Sequence, residues 1–392
     1  MKKLIGITVG IGSIDESIWV NGIKLNAAML CLALNKISKY DVIVVDTSGK
    51  IENTDDIKFW DTKIIPTKKI SEVAKDLDVL IQLGTSLHKD VIKNYGFKKD
   101  MKVIKYQCGN NYVIEMERII FKPDSEAGTT WVTGADQIWY VPQQQKHNHD
   151  YYSLTSRTEN VFPVPFVWDP MFIERDKQII ENNSKSRVDY QVTGKPKRLT
   201  SFEPNMNVVK FSMPLILAAE HALRLGAEFE NLTVCSGDNI FKNKYFLDCL
   251  QTLDIFNNKK ILYVGRYPIT RYLTTNTDIV LSHQWDNPLN YLYLDALYFN
   301  YPLIHNAPMV KDAGYYYDEF NIKDAGSLIK WVIENHDNNL EEYKDKNASV
   351  LKRYTNMNDE ILDVYDKLIE NLFKPGKHKL SYTYNWKTNA YE

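Results

Sequence analysis

Twice along the chain, short runs of branched and aliphatic residues alternate with longer amphipathic stretches, and each run stops at a small or polar residue. Leu4 to Val9 runs into Gly10, Val42 to Val45 into Asp46, and Val79 to Leu83 into Gly84, with Val103 to Tyr106 and Gln137 to Val141 continuing the series. Strands buried on both faces read as continuous apolar runs, and parallel strands need connections long enough to hold a helix. An apolar-periodic stretch from about Ile23 to Leu34 is the first such crossover. A second series opens at Arg198 to Phe202 and passes through Leu232 to Cys235, Ile261 to Val264, Asp278 to Leu281 and Pro302 to His305. The pattern predicts an α/β chain of two doubly wound domains.

Between the two series, Val161-Phe162-Pro163-Val164-Pro165 reads as an extended connection, because each proline restricts its predecessor and breaks any helix. The expected division is therefore 1–165 and 166–356. Residues 175 to 197 are polar and charged, as a surface excursion would be. Helices are expected from about Lys323 to Glu334 and from Met357 to Phe373, followed by a tail from 374 to 392. In that tail Lys374, Lys377, Lys379 and Lys387 interleave with Tyr382, Tyr384 and Trp386. This composition suits phosphate contacts with base stacking, and equally a docked tail.

At 392 residues with 44% hydrophobic content, the chain is long enough for two ordinary cores. Its formal net charge of -2 argues against a uniformly basic nucleic-acid binder, though not against a local patch. Cys31, Cys108, Cys235 and Cys249 show no Cys-x-x-Cys spacing, and a reducing cytoplasm is the expected setting. The apolar core of Leu4 to Val9 is too short for a signal peptide, and no run of about 18 apolar residues follows.

The chemistry concentrates between residues 282 and 306. Ser282, His283, Gln284, Asp286, Asn287 and Asn290 crowd one loop and first helical turn, where free N–H groups favour anionic ligands. Asp295 follows in the apolar frame Leu292, Leu294 and Leu297, where a carboxylate can accept two hydroxyls, and Pro302-Leu303-Ile304 opens a strand. The loop from Gly10 to Gly22 lies after the first strand, where open α/β sheets bind ligands. Gly-x-Ser-x-Gly, Walker A and full dinucleotide motifs are all absent, which removes the usual hydrolase, ATPase and dehydrogenase readings. Asp76-Leu77-Asp78 directly precedes a buried strand and reads as a strand-entry turn. His147-Asn148-His149-Asp150 lacks the further ligands of a closed metal site, so no metal is expected.

The 282–306 stretch resembles the last helix-strand unit of glycosyltransferases of the GT-B fold. There, two glutamates eight positions apart face the donor sugar and the nucleotide ribose, ahead of a small-residue turn and Pro-Val-Ile. Asp295 falls on the second place and Asn287 on the first, with Asp286 beside it. Phe166 to Phe172 resembles the connection leading such chains into their second domain.

Almost the whole chain resembles a family of glycosyltransferase-like proteins of formerly unknown function, found in bacteria and tailed phages. The shared pieces are Ser17-Ile18-Trp19, Asn21-Gly22 and Asn26, Tyr106 with Cys108-Gly109-Asn110 and Tyr112, and Phe202-Glu203-Pro204-Asn205 with Val209-Lys210. Further pieces are Gly265-Arg266-Tyr267-Pro268, Ser282-His283-Gln284-Trp285, Asn290 to Tyr293, Tyr301-Pro302-Leu303 with His305-Asn306, and Gly314 to Tyr317.

The resemblance implies a GT-B fold, with two Rossmann-like domains facing across a cleft and the C-terminal helix crossing back to the first. It implies a metal-independent transferase without a tightly bound cofactor, taking a nucleotide-sugar donor, UDP-sugar foremost. Lys210 and Arg266 would then neutralise the donor diphosphate, and Asp295 would hold the ribose. His283, Asn287 and Asn290 would face the sugar or phosphate, and Asn21 and Gly22 the diphosphate or acceptor. Asp15, Glu16, Glu203 and Asp286 are the candidate catalytic carboxylates. The expected acceptor is 5-hydroxymethylcytosine in phage double-stranded DNA. A bacterial surface polysaccharide or other glycan, and an inactive sugar-nucleotide-binding module, stand as alternatives.

Overall fold

The computed structural model describes residues 2–20, 22–87, 94–121, 134–374, 384–385 and 390–391. The chain divides into a first unit, Met1–Asp169 with Tyr354–Glu392, and a second, Pro170–Arg353.

The first unit holds β1 (Lys3–Val9), β2 (Tyr40–Asp46), β3 (Thr67–Lys69), β4 (Val79–Gln82), β5 (Lys102–Gln107), β6 (Gln137–Tyr140) and β7 (Val161–Pro163). They form one parallel sheet in the order β3-β2-β1-β4-β5-β6-β7. The winding reverses between β1 and β4, the point where such sheets open for ligands beyond their carboxyl ends. Here the strands come very close: a Cβ on Gly84 would lie 2.9 Å from the Thr8 carbonyl oxygen and 3.1 Å from Val9 Cα. Asp78, in the sequence Asp76-Leu77-Asp78, enters β4 by accepting from the Leu4 N–H at 2.8 Å and from Lys98 at 2.8 Å.

Val161 to Pro165 is not the expected bare connection. It contains β7, an edge strand of this sheet, where a proline's missing N–H leaves no ladder bond broken. The helix Asp359–Asn371 belongs to the same unit: Tyr365 OH donates to the Pro165 carbonyl at 2.8 Å and Gln137 Nε2 to that of Leu368 at 3.0 Å. Asn358 caps it by accepting from the Glu360 N–H, and Asp359 and Glu360 suit its positive end. Of the tail, Tyr384–Asn385 pairs antiparallel with Ala390–Tyr391, whereas Lys377, Lys379, Tyr382, Trp386 and Lys387 lie outside the described residues.

The second unit holds β8 (Lys197–Ser201), β9 (Phe229–Val234), β10 (Ile261–Tyr263), β11 (Ile279–Ser282), β12 (Leu303–His305) and β13 (Tyr315–Tyr316). They too are parallel, in the order β10-β9-β8-β11-β12-β13, with the switch between β8 and β11. Leu199, Leu232, Val234, Ile279, Leu281 and Ile304 build a core with the helices Met213–Arg224 and Ile322–Asn335. These helices touch at Gly326, where a Cβ would sit 2.7 Å from the Ala218 carbonyl oxygen.

Residues 175 to 197 are not the simple surface excursion expected. The helix Met171–Asn183 buries Phe172 and Ile173, and Tyr190 beyond it is buried, donating to Asp337 at 2.6 Å and accepting from Lys197 at 2.7 Å. A few apolar anchors in a polar stretch carry too little periodicity to be read as a helix. Among the described residues no helix is long and apolar enough to cross a membrane.

Candidate functional site

In the second unit the chain leaves β8 into Phe202-Glu203-Pro204-Asn205. Asn205 has φ +53°, a left-handed conformation that asparagine tolerates better than most residues. Its Nδ2 donates to the carbonyls of Glu203 at 2.9 Å and Cys235 at 3.2 Å, and its Oδ1 accepts from the Ser212 N–H at 2.9 Å. One side chain thus ties the loop after β8 to the end of β9 and to the start of the helix Met213–Arg224. The loop closes on itself where the Asn205 N–H donates to the Lys210 carbonyl at 3.1 Å.

This folding presents Glu203 and Lys210 at the switch point. Glu203 is fully buried. Ser282 Oγ donates to its Oε1, Gln284 Nε2 donates to its Oε2 at 3.1 Å, and Ser282 Oγ lies 3.1 Å from the buried Tyr293 hydroxyl. Burial pushes the Glu203 carboxyl up to about 7. The hydrogen bonds from Ser282, Gln284 and the His283 N–H, with the Lys210 charge, work against that rise. Lys210 is half-buried. Burial and the charge of Arg266 lower its pKa, while Glu203 supports its charge. Arg266 itself, after β10, is exposed.

The loop after β11 is held as firmly. Asn306, following β12, accepts from the Gln284 N–H at 2.9 Å and donates to the Gln284 carbonyl at 3.0 Å, extending the sheet by one carboxamide. Asn287 Nδ2 donates to Gln284 Oε1, and the Trp285 N–H donates to the Val209 carbonyl at 2.9 Å, joining the two loops. Asp286, half-buried with φ +44°, makes the turn. Asn290 stands at the N-cap of the helix Tyr291–Tyr298, and Asp295 is buried in its second turn.

His283 is 2% exposed, and burial holds its pKa down at about 4, so the ring is neutral. The Tyr317 hydroxyl lies 2.8 Å from Nδ1 and 3.5 Å from the Ser282 carbonyl, which braces the ring from that side. His283 Nε2 is buried without a partner among the described residues. His305 is a contrast: its Nε2 donates to the Ala313 carbonyl at 3.0 Å and its Nδ1 accepts from the Ala307 N–H at 3.1 Å, leaving it wholly structural.

In the first unit the loop after β1 is pinned by Asp46 Oδ1, which accepts from the Ile11 N–H at 3.0 Å. Glu16 is paired with the buried Lys24 and accepts from the Gly12 N–H at 2.9 Å. Although burial alone would raise it, these partners hold its carboxyl below the usual range, which disfavours proton uptake. Asp15 pairs with Lys58 at 2.7 Å on the surface. Gly22 starts the helix Gly22–Leu34 with open space at its Cα, and Asn21 lies outside the described residues.

The structure therefore gathers Glu203, Lys210, His283 and Asn287 around the β8 and β11 ends of one unit, with Asp286, Asn290 and Asp295 in the adjoining loop and helix and Arg266, after the edge strand β10, acting on Lys210 through its charge. Sequence reasoning named Ser282 and Gln284 in the polar loop, and Tyr293, Asn306 and Tyr317 in the family-like pieces, but gave none of them the orienting role they have here. Their residue types stand in plain view in the polar stretch, but their partners are remote in sequence. Among the described residues no group of three or more His, Cys, Asp or Glu side chains could hold a metal ion.

Three solved structures share this architecture at low identity. A glycosyltransferase from Rickettsia africae matches with a TM-score of 0.53 at 12% identity, covering 96% of this chain and 100% of that one. Sucrose-phosphate synthase from Thermosynechococcus elongatus gives 0.57 at 10%, covering 95% and 99%. Anabaena HepE, solved in complex with UDP-glucose, gives 0.52 at 11%, covering 94% and 99%. The fold is that of the GT-B glycosyltransferases. No curated protein sequence matches the chain. A family model described as "Protein of unknown function (DUF2827)" matches residues 5–369, and the chain belongs to that family.

Proposed function

We propose that the protein is a sugar-nucleotide-dependent glycosyltransferase whose second unit binds the donor, a UDP-sugar carrying a hexose or pentose. The observation that carries this reading is a pair of cations whose charges act on each other, half-buried Lys210 by the switch point and exposed Arg266 after the edge strand β10. Preorganised cations there stabilise the negative charge that grows on a departing diphosphate. In the tautomer that carries its hydrogen on Nε2, His283 donates to a phosphate or sugar oxygen. Asp295 takes the ribose, and Asp286, Asn287 and Asn290 face the sugar. Glu203, with both oxygens engaged, is a positioning residue that keeps Lys210 and the loop after β11 in place. Proton removal from the acceptor falls to a carboxylate, Asp286 in the second unit or Asp15 in the first. The structures of HepE with UDP-glucose and of the Rickettsia glycosyltransferase support the reading through their shared fold.

For the acceptor, the basic and aromatic tail composition supports 5-hydroxymethylcytosine in double-stranded DNA. A glycan is the second reading, favoured by a neutral polar cluster in the first unit described below. Nucleotide release from UDP- and GDP-sugars is measured with and without 5-hydroxymethylcytosine DNA, and the DNA is read by mass spectrometry. A sugar-sized mass gain supports the DNA acceptor, and release without mass gain moves it to a glycan. Donor binding without turnover on either acceptor identifies an inactive binding module, consistent with Asn287 in place of a glutamate. Absence of both release and donor binding overturns the transferase reading.

A further inference from the structure

In the first unit, the loop after β5 carries a second polar cluster. The chain leaves Gln107 through Cys108-Gly109-Asn110 into the helix Asn111–Phe121. Asn148, fully buried in the helix Gln145–Ser156, reaches this loop. The carboxamides are oriented from the backbone outward. The Tyr112 N–H donates to Asn148 Oδ1 at 2.9 Å, which makes Asn148 Nδ2 a donor, and that donor reaches Asn110 Oδ1 at 3.0 Å. The Val113 N–H also aims at Asn110 Oδ1, at 3.3 Å. The oxygen of Asn110 is therefore taken, and its Nδ2 hydrogens face elsewhere. Asn110 Nδ2 has no partner among the described residues. Nor has Gln107 Nε2, whose Oε1 accepts from Asn111 Nδ2 at 2.8 Å. Asn110 is 5% exposed and Gln107 8%, and native proteins rarely leave such buried groups unpaired.

Both orphaned groups are uncharged donors, so the missing partner presents oxygen acceptors. A phosphate draws its affinity from cations and backbone N–H groups, and here the Tyr112 and Val113 N–H groups are already spent on Asn148 and Asn110. A neutral ring bearing hydroxyls fits better. Tyr112, 39% exposed, lies parallel to His147 at 6.1 Å and edge-on to Tyr151 at 5.7 Å, a braced aromatic face at the rim. The position is the carboxyl end of a parallel strand, where α/β sheets take their ligands.

We infer that the end of β5 is a binding site for a sugar ring, with Asn110 Nδ2 and Gln107 Nε2 donating to its oxygens and Tyr112 packing on its face. Its assignment as the acceptor subsite rests on the transferase reading; its existence as a sugar site does not. Saturation-transfer NMR on the full chain tests it, with methyl glycosides of glucose, galactose, mannose and N-acetylglucosamine, and with 5-hydroxymethyl-2′-deoxycytidine and inorganic phosphate as contrasting probes. At least one glycoside receives saturation from the wild type. Asn110→Ala and Tyr112→Ala each weaken that binding about fivefold or more, as loss of one good contact does, with UDP binding unchanged. Tyr112→Ala lies at the exposed rim and keeps the test valid should Asn110→Ala fold poorly. The site is overturned if no glycoside responds, if only the nucleoside or phosphate does, or if the folded variants bind as the wild type does. UDP binding, read separately, reports on the donor site alone.

Discussion

Gln284 Nε2 donates to Glu203 Oε2 across 3.1 Å, bridging the ends of β11 and β8 although the residues stand 81 positions apart. With Ser282 on the other carboxylate oxygen, this bond makes Glu203 the pin that joins the loops after β8 and β11.

Glu203→Gln keeps the shape and removes the titration. In the folded chain the Glu203 pKa is raised from 4.5 to about 7, so the stability linked to its proton is fully present below about 4.5 and lost as pH rises through about 7. At roughly 1.4 kcal/mol per pH unit, the wild type should lose about 3 kcal/mol relative to Glu203→Gln across that window. Paired urea titrations at pH 4.5 and 7.5 measure the difference, and parallel behaviour of the two proteins would contradict the assignment.

Arg266→Ala removes an exposed cation and should leave the melting temperature unchanged while weakening UDP binding about tenfold or more, as charge-assisted bonds to phosphate do. Lys210→Ala should weaken UDP similarly and also lower stability, because buried Glu203 loses the charge that supports its ionised form. Calorimetric titration with UDP, set beside thermal melts, separates the two effects.

Asn205→Ala should cost about 2–4 kcal/mol, combining lost hydrogen bonds with a β-carbon forced into the left-handed region. Asn205→Gly recovers only the backbone part. If Gly matched Asn in denaturant melts, the side-chain bonds to the Glu203 carbonyl and Ser212 N–H would contribute nothing.

Gly84→Ala drives a β-carbon against the Thr8 carbonyl and Val9, backbone that cannot swing aside, and should destabilise the first unit by about 1–3 kcal/mol. Hydrogen exchange along β1 and β4 should report the loosening locally, with β8 and β11 in the second unit unaffected.

The strands that carry the sites were legible because each is a continuous apolar run: Leu4 to Val9 is contained in β1, and Asp278 to Leu281 overlaps β11. The strands β3, β7 and β13 span three, three and two residues, and Thr67-Lys68-Lys69 has no apolar run at all. Their pairing is supplied by a neighbouring strand already in place, and such short segments carry little local signal of it. The polar residues after β8 and β11 were likewise visible as candidates. Their division of labour was not: Glu203 reads as a free carboxylate in the sequence and is a fully engaged one in the fold.

By itself the sequence determined that this chain builds two parallel α/β sheets, because burial of both faces and the crossover length are local properties written in each segment. Only the tertiary structure decided which polar groups spend their hydrogen bonds on each other and which are left over. Glu203, Ser282 and Gln284 satisfy one another, while His283 Nε2 and the amide nitrogens of Gln107 and Asn110 have no hydrogen-bond partner among the described residues. That division depends on contacts between strand ends some 80 residues apart in the second unit, and on a carboxamide reaching 38 residues in the first. Hydrogen-bond satisfaction is a property of the assembled site, not of any stretch of chain.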